Sequence, residues 1–127
     1  VVIQTSIDIE DEIQKILNAY MTTYCRPLPA NFTTPCILVT KVGGSDTNTI
    51  DTAEVVLDSR AQREPQAVDL LNKAVGILRK ISRESTTPVR HIRVTSSGSW
   101  GVDPVRPDLA MCSARLSVTA HLETKTI

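Results

Sequence analysis

Between residues 112 and 122 the chain alternates without a break. Cys112, Ala114, Leu116, Val118, Ala120 and Leu122 are apolar, whereas Ser113, Arg115, Ser117, Thr119 and His121 are polar. Successive side chains of a strand point to opposite faces, so this spacing predicts a strand with one buried face and one wet face. Such a strand belongs in a largely antiparallel sheet that is covered on one side only.

The cover is also readable. Ile9, Ile13, Ile16, Leu17 and Tyr20 lie on one face of a helix, and Asp8, Glu10, Asp11 and Glu12 crowd its start. Carboxylates favour the positive end of the helix dipole, and Ser6 or Asp8 is the expected N-cap. A second helix is predicted over Arg63 to Arg83, with Pro65 in its first turn, where a missing N–H costs nothing. Its apolar positions include Ala67, Leu70, Leu71, Ala74, Ile77, Leu78 and Ile81, a stripe wider than one sheet-facing surface requires. Gly76, in mid-helix, costs about 1 kcal/mol relative to Ala. Either a second backbone packs closely there or the glycine is merely tolerated.

Pro35 to Val42 reads as a strand, Gly43-Gly44-Ser45-Asp46 as a turn, and Thr49 to Asp58 as the second arm of a hairpin. Asp58-Ser59 offers a cap for the helix that follows. His91 to Val94 alternates like a short strand. Ser96 to Asp108, with two Gly, two Pro and the only Trp, reads as a long loop of the kind that tends to carry function. The expected fold is α+β: a four-stranded, mostly antiparallel sheet with two helices on one face, in the order α-β-β-α-β-β. At 127 residues the chain is read as one domain.

Composition then excludes classes of function. With 14 basic and 14 acidic residues the formal net charge is zero, which argues against holding nucleic acid by charge neutralisation. No stretch approaches the roughly 18 apolar residues of a membrane helix. Val1-Val2-Ile3 is too short, and lacks the basic flank, for a signal peptide. The zero conceals an asymmetry, because residues 1–60 hold eight acidic residues against four basic ones. Arg79, Lys80, Arg83, Arg90 and Arg93 cluster in the remainder. They read either as a solvated helix end or as a patch for an acidic partner or another copy's negative half.

No catalytic constellation stands out. Gly98-Ser99-Trp100-Gly101 lacks the spacing of a nucleophile elbow, and Gly43-Gly44 does not open a helix as a phosphate loop would. His91 and His121 read as solvated surface residues. Cys25, Cys36 and Cys112 have no zinc-ligand spacing, so no metal or cofactor is expected. Cys36 and Cys112 read as small core hydrophobes in a reduced, intracellularly made protein, and a Cys25–Cys36 bridge across the Pro27/Pro29 loop stays open. Aromatic residues are only 3% of the chain, sparse material for an enzyme pocket.

The ordered series of features resembles the small tail terminator (tail completion) proteins of long-tailed bacteriophages. It comprises the Asp8 to Ile13 helix start, the Pro35 to Val42 strand, and Asp51 to Ala61 running into the long helix. The Asp58-Ser59-Arg60-Ala61 junction is similar to the "D-S/T-R-A" junction of that family, and Trp100 to Pro107 to its Pro/Asp-bearing loop before the final strand. The resemblance implies a non-enzymatic structural protein of the virion tail or neck, assembled in the host cytoplasm. It would form a ring, a hexamer in that family, cap the head-proximal end of the tail tube, stop tube growth and meet the head-side connector. DNA would pass through the lumen without specific binding. On this reading Leu70 and Ile77 on the second helix meet a neighbouring subunit, and Trp100, Val102 and Arg106 contact the neighbour or the tube. A head-closure or adaptor protein of the same neck shares this size and composition. A small cellular binding domain or enzyme with an unrecognised site is the rival from another class.

Overall fold

The computed structural model describes residues 1–46, 50–84 and 86–127. The alternating segment forms β6 (Ala110–His121) and pairs on both edges, with β4 (Ile50–Ala61) and β5 (Val89–Val102). The β4–β6 register runs unbroken from Ile50 opposite His121 to Ala61 opposite Ala110. β3 (Cys36–Asp46) adds to the far edge of β4, and the short β2 (Thr23–Cys25) runs parallel to β3. The result is a five-stranded sheet in the order β2-β3-β4-β6-β5. A separate two-stranded ribbon joins β1 (Val2–Thr5) to β7 (Glu123–Thr126).

One face of the sheet carries the core. Ile37, Val39, Ala53, Val55, Leu57, Ala114, Leu116 and Val118 are buried there against helices α1 (Ile9–Asn18) and α2 (Glu64–Arg83). From α1 come Ile9, Ile13 and Leu17, and from α2 Ala67, Leu71, Ala74 and Leu78. Of the two expected N-caps, Ser6 and Asp8, it is Asp8 that caps α1, accepting the Asp11 N–H at 3.2 Å. The uncovered face is polar, with Arg115 3.8 Å from Glu54 across β6 and β4.

These observations correct the four-stranded α-β-β-α-β-β expectation. The main sheet has five strands, a sixth and seventh strand form the ribbon, and the order is β-α-β-β-β-α-β-β-β. The additional strands β1, β2 and β7 are three or four residues long, too short for a period-two pattern to emerge. Ser96 to Val102 is strand rather than loop, so β5 reaches 14 residues. Its register with β6 shifts three times between Val89 and Ser99. Backbone pairing needs no apolar side chain, which is how a Ser/Gly-rich stretch continues a ladder. Gly43 to Asp46 likewise continue β3 instead of turning, after a bulge between Lys41 and Gly43. Gly44 sits so close to β4 that a Cβ would stand 2.5 Å from the Thr52 carbonyl oxygen. The connection between β3 and β4, residues 47–49, lies outside the described residues.

Asp58 and Ser59 are strand residues and do not cap α2. Its N-cap is Arg63, which makes no side-chain cap bond, with Pro65 in the first turn. All three cysteines are free thiols, so no Cys25–Cys36 bridge forms. Cys112 lies in the core, whereas Cys36, though buried, pairs with Arg60 on the opposite face of the sheet.

Candidate functional site

Two regions combine exposed apolar or charged groups with a definite architecture. The first is the loop between β5 and β6, built from the junction at the end of β4. Ser59 belongs to the row of Ala53, Val55 and Leu57, facing α2. Its hydroxyl is shared between the Ala67 carbonyl at 2.7 Å and the Cys112 carbonyl at 3.1 Å, tying the first turn of α2 to the sheet. Asp58 and Arg60 alternate to the other face, where Asp58 accepts from the Ser113 hydroxyl. Arg60 is 8% exposed, and its Nε donates to Asp103 at 2.8 Å.

Asp103 in turn holds the loop. Its other oxygen accepts the backbone N–H groups of Val105 at 2.9 Å and Arg106 at 3.2 Å. Burial pushes the Asp103 carboxyl upward, but the Arg60 hydrogen bond, these two N–H donors and the Arg60 charge prevail and hold it below the usual carboxylate range. The same surroundings act on Cys36. Burial raises its thiol to about 11 against the opposing charge of Arg60, with Asp103 adding to the rise, so it stays a protonated thiol.

The clamped loop and the end of β5 before it present apolar side chains to solvent. Val102 is 61% exposed and Val105 84%. Arg106 pairs with Asp108 at 3.1 Å and lies 5.9 Å from the centre of the Phe32 ring. Trp100 is a strand residue opposite Cys112, not a loop residue. Val105 was not singled out in the sequence. The signal was available, since a valine between Pro104 and Arg106 belongs to no apolar period.

The second region flanks α2. Leu70 and Ile77 are half-buried on its side toward α1 and β3, where Leu70 shares a hollow with Pro35 and Ile77 shares one with the exposed Tyr20. The other flank, toward β5, is open. A groove of about 560 Å³ runs between α2 and the sheet, lined by Val68, Val75, Gly76, Val94 and Arg79 among others. No backbone approaches Gly76, and a Cβ there would meet nothing within 4 Å. Of the two readings the sequence leaves open, close packing of a second backbone against Gly76 is not found among the described residues.

His91 and His121 are exposed. No three His, Cys, Asp or Glu side chains among the described residues are placed to share a metal ion. No helix among the described residues is long and apolar enough to cross a membrane. The chain matches no protein-family model, and no curated protein is significantly similar to it in sequence.

Proposed function

We propose that this chain is a ring-forming structural protein of a phage virion, a tail terminator that caps the head-proximal end of the tail tube, stops its growth and joins it to the head-side connector. The observation that supports this reading most is the union of the two segments behind the resemblance. The Asp58-Ser59-Arg60-Ala61 junction and the loop after Trp100 are about 40 residues apart in sequence, yet Arg60 and Asp103 join them through a buried ion pair at 2.8 Å. The product is a rigid knob presenting Val102, Val105 and Arg106, suited to contact with the tube or a neighbouring subunit. Leu70 and Ile77 form the subunit-facing flank of α2 on the α1 side. Ring formation by a small single-core protein needs surfaces of this kind, and DNA crosses the lumen of a neutral chain without being retained.

The test is length control. Added to polymerising tail-tube protein, the chain should give short tubes bearing one cap each by electron microscopy. Tubes of unchanged length and bare ends would refute the terminator role. Leu70→Asp with Ile77→Asp should abolish the assembled species in native mass spectrometry, and its persistence would remove those two residues from the interface. Density for the chain in a neck layer away from the tube end would identify a head-closure or adaptor protein instead.

A further inference from the structure

The two outer edges of the sheet carry opposite charge. At one edge, α1 packs over β2 and β3 and brings Asp8, Glu10, Asp11 and Glu12 to the surface. Lys15 lies 3.0 Å from Asp11 and 3.9 Å from Glu12, and Arg26 pairs with Glu10 at 2.9 Å, leaving the four acids with two cations. The acids' combined charge reaches the neighbouring Cys25 thiol, which Glu10, Asp8 and Asp11 push up in addition to its burial. At the other edge stand Arg79 and Arg83 of α2 and Arg90 and Arg93 of β5, all exposed, whereas Lys80 borders the α1-side hollow with Ile77 and Tyr20. None of these five makes an ion pair with a described residue. β2 and β5 are separated by four strand spacings, about 19 Å, so the two charge sets cannot neutralise one another within one copy.

The cationic edge is also where the molecule is incompletely filled. The groove between α2 and β5 has Val68, Val75 and Val94 in its walls and Arg79 at its rim. Its opening coincides with Gly76, the one α2 position without a side chain. β5 is an outer strand, with one edge unpaired.

We propose that this groove docks the α1 edge of a second copy of the chain, with the cations of the α2–β5 edge set against Asp8, Asp11 and Glu12 of that copy. The contact joins two different surfaces, so each copy uses both once. Such a head-to-tail contact closes into a ring when the rotation per subunit divides a full turn. Gly76 then serves the assembly rather than the monomer, by leaving the groove open. This inference rests on the ring reading above and names its subunit contact.

Native mass spectrometry of the full chain tests it with three variants. Gly76→Gln fits the free monomer, where nothing stands within 4 Å. It should melt at or above the wild-type temperature and yet fail to assemble. Arg79→Glu with Arg83→Glu, and separately Asp11→Lys with Glu12→Lys, should each raise the concentration for half-assembly about tenfold or more. Mixed in equal amounts, the two charge-reversed chains should restore assembly as an alternating ring with an even number of subunits. If wild type forms a ring and all three variants assemble as it does, the ring reading survives and this contact is wrong. If wild type stays monomeric at its highest soluble concentration, the ring reading and the contact fall together.

Discussion

Where α2 begins, charge is buried and matched: Arg60 meets Asp103 at 2.8 Å, and the same carboxylate fixes two backbone N–H groups of the loop. Where α2 ends, Arg79 and Arg83 stand in solvent near Arg90 and Arg93, next to a groove that no described residue fills. The first region has internal partners for its polar groups, apart from the Arg60 Nη1, which is buried without one among the described residues. The second has an excess of one charge and vacant apolar space. A fold that invests a buried ion pair in fixing one loop, while leaving another edge unmatched, separates the part that maintains its own shape from the part offered to a partner.

The strongest way to break this contrast is to remove one member of the clamp. Asp103→Ala leaves the Arg60 guanidinium buried and alone, and should cost about 3–5 kcal/mol in denaturant unfolding. Arg60→Met combined with Asp103→Leu should recover part of that loss, because apolar groups of similar volume replace the buried pair while the Val105 and Arg106 N–H groups still lose their acceptor. A single-variant cost near zero would mean that the loop is held by something else. Ser59→Ala should cost about 0.5–1.5 kcal/mol by removing a buried hydrogen bond between α2 and the sheet.

Acid sharpens the same point. The folded Asp103 carboxyl titrates below its unfolded value, so its contribution is fully present above an unfolded pKa of about 3.9 and is lost as pH falls through the folded value. The stability difference between wild type and Asp103→Asn should therefore be constant near neutrality and shrink below about pH 4. A difference that does not change with pH would show that Asp103 does not titrate with folding. The smallest effect belongs to the open end. Gly76→Ala should stabilise the monomer by about 1 kcal/mol, since the helix gains and nothing obstructs the methyl group. A destabilised variant would show that the position is crowded after all.

How much of this was readable beforehand follows from the range over which each interaction acts. Both helices and the β4–β6 centre are visible because their apolar residues recur at a fixed period, as in Ile9, Ile13, Ile16 and Leu17. Asp8 as a cap is likewise local. β2 and the β1–β7 ribbon are invisible because three or four residues paired with a distant segment leave no local pattern. The Ser96 to Val102 part of β5 is obscured by composition, since it is held by backbone pairing with β6. The clamp is the instructive case. Arg60, Asp103 and Val105 each look unremarkable in sequence, and only the alternation of β4 past Ser59 sends Arg60 to the face where Asp103 waits. Leu70 and Ile77 were readable as surplus to one apolar stripe, whereas the groove on the opposite flank, marked by Gly76, was legible only as an unexplained glycine.

On the proposed reading, the unmatched edge exists for other copies of the chain. The most direct measurement is the mass distribution of the purified wild-type protein in native mass spectrometry as salt is raised. A single closed oligomer that gives way to monomer at high salt is the predicted result, because exposed charge pairs are screened. A monomer at every concentration and every ionic strength would contradict it.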